Sequence, residues 1–268
     1  MKNISFFNFP RILQPSIILI KTQASENIGA VVRAMLNFGL TDLSLVSPPD
    51  GWFNKDAAAM AAGASYLLEK VKVFNSIKEA LHNKQIVFAT TSRSRNMVKS
   101  AYTLQTAVNH LLSIVERYES RVAFVFGQEN SGISNDDLSF VDATIHIPVN
   151  PEFASLNLSQ SVVVLSYEWT KQLECFSSQK QFSTIDLGKS TLANRDELIN
   201  FFDHIERELE STAFFRIDAK RDILKRSIRN IFLRSTLTKQ EIQILHGVIR
   251  SLTMILPEKS KYKANIIK

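Results

Sequence analysis

Short apolar runs alternate with amphipathic stretches over the first two thirds of the chain. SIILI (16–20), LSLV (43–46), VKVF (71–74), QIVFAT (85–90), RVAFVFG (121–127) and ATIHIP (143–148) are rich in Ile, Val and Phe and predict strands. Between them the apolar spacing predicts helices over about 27–37, 56–62, 76–82, 103–118, 134–140 and 156–175. Gly39 and Gly63 are placed to close the first two. Residues 92–100, SRSRNMVKS, read as a polar, basic loop. Strands alternating with helices predict an α/β body with a mostly parallel sheet over residues 1–176. The Ser-, Gln- and Thr-rich stretch 177–193 reads as a linker. Three helical patterns follow, near 194–210, 219–234 and 238–255, forming a helical extension over 194–268. No internal repeat is visible.

Charge sharpens this division. The net charge is +6, from 32 basic and 26 acidic residues. Residues 216–268 hold 13 basic and 4 acidic side chains, whereas residues 1–215 hold 19 and 22. A near-neutral body with a basic tail fits a polyanion-binding appendage or a solvated helical tail. The lone cysteine, Cys175, excludes a disulfide framework and a Cys-based zinc cluster within one chain, and fits a reducing cytosol. No apolar run approaches the ~20 residues of a spanning helix, so no membrane partner is expected. Residues 1–15 are broken by Asn8, Pro10, Arg11 and Pro15 and read as a lead-in to the first strand rather than a signal peptide.

Several chemistries lack their motifs. There is no GxGxxG after the first strand, no GxxxxGK[ST], no HExxH and no G-x-S-x-G, and the five histidines are scattered without metal spacing. Three other segments stand out. In ENIGAVVRAMLNFGL (26–40), Ile28, Val31, Val32, Met35 and Leu36 share one helix face. Gly29, Ala30, Arg33, Ala34 and Asn37 share the other, which leaves an arginine on a face cleared of bulk. Such a face admits a ligand or another chain, and Asn27 suits an N-cap. Alone, the segment reads as a surface helix with an ordinary arginine. In VAFVFGQENSGISNDDL (122–138) a strand runs into a loop with Gly127 and Gly132 around Glu129 and Asn130. The glycines permit positive φ there, and Ser134 with Asp137 is a helix start. A parallel sheet binds ligands at such strand ends, although a tight turn has the same pattern. In IHIPVNPEFASLNLSQSVVVLSYEW (145–169), Leu158, Val162, Leu165 and Trp169 form a core stripe, with Ser155 suited to an N-cap and Asn157 at the helix mouth.

Taken in this order, the segments resemble the SpoU/TrmH family of RNA ribose 2′-O-methyltransferases, within the SPOUT superfamily. Asn27, Gly29 and Arg33 match its first motif; Phe126, Gly127, Glu129, Gly132 and Ile133 its second; Ser155, Leu156, Asn157, Tyr167 and Glu168 its third. MAAGAS (60–65), TTSRSR (90–95), NPEFASLNLS (150–159) and the basic tail resemble the group that modifies nucleotide 32 of the tRNA anticodon loop. Gln128, Asn130 and Ala154 depart from that group's pattern, where Arg, Arg and Ser are usual.

The resemblance implies a trefoil knot in the α/β body and a homodimer with active sites built from both chains. It implies S-adenosylmethionine as cofactor, held by Thr90, Thr91, Ser92, Gly127, Ile147, Ala154, Ser155 and Leu156. It also implies tRNA as substrate, no metal and a cytoplasmic enzyme. Arg33 is its catalytic arginine, with Asn27, Glu129, Ser155 and Asn157 around it. Arginine side chains stay protonated at accessible pH, so a phosphate clamp suits Arg33 better than a general base. Arg93 and Arg95, with Lys220, Arg221, Lys225, Arg226 and Arg229 of the tail, are the expected RNA contacts. Lys99 is a further candidate. Two alternatives stay open: a ribosomal-RNA methyltransferase of the same family, and a non-catalytic RNA-binding protein with the same fold.

Overall fold

The computed structural model describes residues 14–91, 98–118, 121–178, 190–212, 214–215 and 218–263. Most of the predicted lead-in, Ser92, Arg93 and Arg95, and the middle of the predicted linker lie outside the described residues.

Seven strands form one sheet: β1 (Ser16–Ile20), β2 (Leu43–Val46), β3 (Lys72–Phe74), β4 (Ile86–Thr90), β5 (Ser100–Thr103), β6 (Val122–Phe126) and β7 (Ala143–His146). Their order is β3-β2-β1-β6-β4-β7-β5, and every neighbouring pair is parallel. β6 lies between β1 and β4, and β7 between β4 and β5, so each later strand is inserted between earlier ones. These insertions agree with the knotted topology that the resemblance implies.

The central strands are buried on both faces, which is why they read as unbroken apolar runs. Ile17, Leu19, Phe88, Phe124 and Ile145 belong to the core beneath α1 (Ser25–Asn37), α4 (Leu104–Tyr118) and α6 (Leu158–Ser178). Ile18, Ile20, Val87, Ala89 and Val125 face a second cluster, closed by α3 (Ile77–Ala80), α5 (Asn135–Leu138) and the segment after it. The sequence predicts a loop to Ser100 and a helix from Thr103, but residues 100–103 form β5. It is a four-residue edge strand, largely exposed, so it has no apolar run to betray it.

α1 ends as expected. Gly39 takes φ 73° and donates to the Leu36 carbonyl at 3.1 Å, while Leu40 donates to Met35 at 2.9 Å. This is a Schellman closure, in which a residue without Cβ turns into the left-handed region. The end of α2 (Lys55–Ala61) differs: Ala62, not Gly63, adopts positive φ, and a 3-10 segment, Ala62–Lys70, continues the chain.

α2 also explains the cleared face of α1. A Cβ on Gly29 would lie 2.1 Å from the Ala57 carbonyl oxygen, and Ala34, Ala57 and Ala61 are buried. Gly29 thus admits a helix of the same chain, while Arg33 and Asn37 on the same face remain exposed.

The extension comprises α7 (Arg195–Glu210), α8 (Asp218–Leu233) and α9 (Lys239–Lys263). A capping box between Asn194 and Glu197 starts α7. Leu198, Phe201, Phe202, Leu233 and Ile242 form its own small core. Among the described residues, no helix is long and apolar enough to cross a membrane.

Candidate active site

In a parallel sheet the C-terminal ends of the strands share one edge, and ligands bind in the crevice outside it. β6, β4 and β7 are consecutive in the sheet, so the segments after Phe126, Thr90 and His146 emerge side by side. They enclose a cleft of about 330 Å³. Thr90, Thr91, Gly127, Ile147, Ala154, Ser155 and Leu156, seven of the eight residues expected to hold a cofactor, line it. Ser92, the eighth, lies outside the described residues.

The three sequence segments meet at this cleft through side-chain hydrogen bonds. Asn27 Nδ2 donates to Glu129 Oε1 at 2.8 Å, and Asn157 Nδ2 donates to Asn27 Oδ1 at 3.2 Å. The other Glu129 oxygen accepts from the Gln23 backbone N–H at 3.2 Å. Residues 102 and 130 positions apart are thus joined in one line across α1, the β6 loop and the mouth of α6. Glu129 accepts at both oxygens, which fixes the orientation of its carboxyl group.

Two capping expectations change. α1 begins at Ser25 with Ala24 in the cap position, so Asn27 is already helical and its side chain is free to bridge Glu129 and Asn157. At α6 the capping contact comes from Asn157 rather than Ser155: Asn157 Oδ1 accepts from Ser159 N at 2.9 Å, immediately before Leu158. Ser155 is an exposed wall of the cleft.

The glycines of the second segment play different parts. Only Gly132 has positive φ, 69°. Gly127 is needed for proximity: a Cβ there would lie 2.3 Å from Gly132 C and 2.4 Å from Ile133 N. The loop folds back on itself at Gly127, with Gly132 N donating to Gln128 O at 2.8 Å.

Arg33 does not line the cleft of its own chain. It is exposed on α1, about 9 Å farther along the helix axis than Asn27 at 1.5 Å per residue. No hydrogen bond or ion pair joins it to the described residues. Nearby elements expose apolar groups: Val163, Val164 and Tyr167 of α6 are all more than a third exposed, and Tyr167 meets Phe38 edge-on at 6.2 Å.

The cations expected on RNA are disposed unevenly. Lys220 is exposed, and Arg221 is exposed but engaged. Lys225 pairs with Glu210 at 2.6 Å, and Arg226 with Asp136 at 2.6 Å. Arg229 makes two bonds to Glu206, at 2.6 and 3.0 Å. Lys99, the other candidate, donates to Val141 O and Asn230 Oδ1. Charge counting from sequence cannot see these pairings, since their partners lie 15 to 131 positions away.

Gln23 was missed as a site residue. It sits in the loop after β1, donates its N–H to Glu129 and accepts from Asn130 Nδ2 at 3.0 Å. Its place four residues before Asn27, in the turn between β1 and α1, was the available signal.

Comparison with known proteins agrees with this architecture. Residues 14–167 match the SpoU rRNA Methylase family, and residues 196–263 match the C-terminal domain of the tRNA methyltransferase TrmJ. The chain is 34% identical over 239 residues to the tRNA (cytidine/uridine-2′-O-)-methyltransferase TrmJ of Salmonella typhimurium, covering 88% of this chain and 95% of that one. It is 32% identical over 237 residues to the tRNA (cytidine/uridine/adenosine-2′-O-)-methyltransferase TrmJ of Pseudomonas aeruginosa, covering 87% and 91%. The crystal structure of TrmJ from Z. mobilis ZM4 superposes with a TM-score of 0.77 at 36% identity, over 89% of this chain and 98% of that one. With matching motifs drawn together at the strand ends and a fold shared over nearly its whole length, the chain belongs to the SpoU methylase family.

Proposed function

We propose that this chain is an S-adenosylmethionine-dependent tRNA 2′-O-ribose methyltransferase of the cytoplasm, acting on the pyrimidine nucleotide 32 of the anticodon loop. The observation that carries the reading is the line Glu129–Asn27–Asn157 at the mouth of the cleft. The proposed units are the knotted methyltransferase body 1–176, the linker 177–193 and the extension 194–268.

The cleft fits the cofactor in size and chemistry. Ile133, Ile147, Val149, Leu156 and Leu158 offer apolar walls for an adenine ring, and the Thr90–Thr91 and Gln128–Asn130 segments offer polar groups for a ribose and an amino-acid head. About 300 Å³ or more is the usual scale of a small-molecule site. Bound there, S-adenosylmethionine supplies a methyl group on positively charged sulfur, an electrophile that needs no metal. The remaining work is to align the ribose 2′-oxygen, exclude water and remove its proton. Asn157 and Asn27, locked by Glu129, orient the ribose. Arg33 clamps the scaffold phosphate beside it, and that phosphate helps accept the proton on its way to solvent.

Arg33 reaches the cleft of a second copy across a two-fold axis, with exposed Val163, Val164 and Tyr167 packed in the homodimer interface. Its exposure in the single chain supports this arrangement. Lys220 and Arg221, with Arg93 and Arg95, supply phosphate contacts.

The deciding experiment transfers labelled methyl from S-adenosylmethionine to bulk tRNA and maps the modified nucleotide. Ribose methylation at position 32 is expected. Label confined to ribosomal RNA would move the protein to the other branch of the family. Cofactor binding without transfer to any RNA would leave a non-catalytic RNA-binding protein.

Gly127→Ala tests the cleft directly. Its Cβ meets three backbone atoms of the Gly132–Ile133 peptide, so the loop must open. Cofactor affinity is expected to fall at least about tenfold, in line with a 1–3 kcal/mol overpacking strain. A calorimetric titration giving unchanged affinity would show that the loop does not shape the cofactor site.

A further inference from the structure

The segment just after the cleft loop is tied to the extension by a row of polar contacts. α5 is a single turn, too short to hold itself. Its Asp136 accepts from Arg226 Nε at 2.7 Å. Ser139, fully buried, accepts from Arg229 Nη1 at 3.1 Å, and the Arg229 guanidinium lies over the Phe140 ring at 4.7 Å. Val141 O and Asn230 of α8 share the Lys99 ammonium, at 2.5 and 2.6 Å. Asp142 is held by fully buried Arg195 of α7 at 2.5 Å, and its carboxylate in turn accepts from Val87 N in β4 at 2.6 Å.

Four of these five anchor points thus take a bond or ring contact from an α7 or α8 side chain, and the fifth, Val141, is linked to α8 through Lys99. The same stretch shares a core with the cleft loop, since Ile133, Leu138, Phe140 and Val141 pack in one cluster. We infer that α7 and α8 are positioning elements of the cleft, with Arg226 and Arg229 of α8 holding residues 136–140 so that the 127–133 loop keeps its cofactor-binding shape. This rests on the reading of that cleft as the S-adenosylmethionine site.

Arg229 suits the task because its planar fork spans Glu206 with two bonds and still reaches Ser139. Lysine at that position has the charge but not the fork. Burial also presses the Lys99 ammonium down to about 8, as expected for a cation sealed between α8 and the body. The basic side of α8 is therefore largely engaged within the molecule before any RNA arrives.

The test uses the full-length protein and separates cofactor from RNA effects. Arg229→Lys is expected to raise the KM for S-adenosylmethionine about tenfold, with kcat and the KM for tRNA within about twofold. Arg226→Glu sets like charges against Asp136 and is expected to raise it about three- to fivefold. Adding Asp136→Arg restores the pair with its charges exchanged and should return the KM to within about twofold of the starting value. Calorimetric binding of S-adenosylmethionine without RNA should follow the same order. A rise in the KM for tRNA with an unchanged cofactor KM would assign these arginines to RNA and overturn the inference. So would a fall in kcat alone, tracking the folded fraction, which is what a merely structural role gives. If the unmodified protein binds no S-adenosylmethionine, the functional reading fails and takes this inference with it. Equal cofactor binding by the unmodified and variant proteins overturns the inference alone.

Discussion

Arg33→Ala is expected to lower methyl transfer to tRNA by about 10²–10³-fold, the scale for removing one preorganised donor from a transition state. Cofactor affinity should stay within about twofold, because Arg33 is not among the residues lining the cleft of its own chain. Arg33→Lys should recover only a small part of the rate, since an ammonium keeps the charge but not two-point recognition of a phosphate. A variant retaining more than about a tenth of the rate would remove Arg33 from the reaction.

Mixing variants tells which chain's cleft it serves. Equal amounts of Arg33→Ala and Glu129→Ala chains, exchanged to equilibrium, should regain about a quarter of full activity if Arg33 completes the neighbouring cleft. Half the dimers are then mixed, and each has one intact site. If Arg33 serves its own cleft, both chains of a mixed dimer are inactive and nothing is regained.

Arg195→Ala is expected to destabilise the protein by about 3 kcal/mol, with a fall of roughly 6–12 °C in the melting midpoint. Arg195 is fully buried and its guanidinium is the charged partner of Asp142, which is largely enclosed as well. Removing one member leaves a carboxylate in a poorly solvated place beside Val87 N and the sheet. Asp142→Asn with Arg195→Met removes both charges and keeps an oxygen for Val87 N, so the double variant should recover most of the loss. Thermal melts followed by circular dichroism measure both. A shift below about 2 °C for Arg195→Ala would mean the pair contributes little to holding α7 on the body.

Much of the body was legible in the residues. β1 and β2 coincide with SIILI and LSLV because a strand buried on both faces is mostly apolar, with only Ser16 and Ser44 as buried polar residues. The helical pattern near 194–210 coincides with α7 (Arg195–Glu210), and the structure adds that a capping box between Asn194 and Glu197 starts it. β5 was not legible, because an edge strand takes its hydrogen bonds from β7 and has no need of an apolar run. Asn27 and Ser155 were read as caps because a sequence shows which residues are able to cap, not where a helix starts in space. Asn157 caps α6 and Asn27 bridges two other segments.

The sequence by itself determined the α/β alternation, the second and third segments that line the cleft with the Asn27 segment bonded to them, and the uneven charge of the tail, because these depend on residue type and on spacing within one turn or strand. The tertiary structure alone decided that α2 packs on Gly29 of α1, that Arg33 stands outside its own cleft, and that the α8 cations grip the body. Those outcomes depend on which distant groups come within a few ångströms. Asp136 and Arg226 are 90 positions apart, and only the packed fold sets whether a positive side chain meets a carboxylate, a phosphate or water.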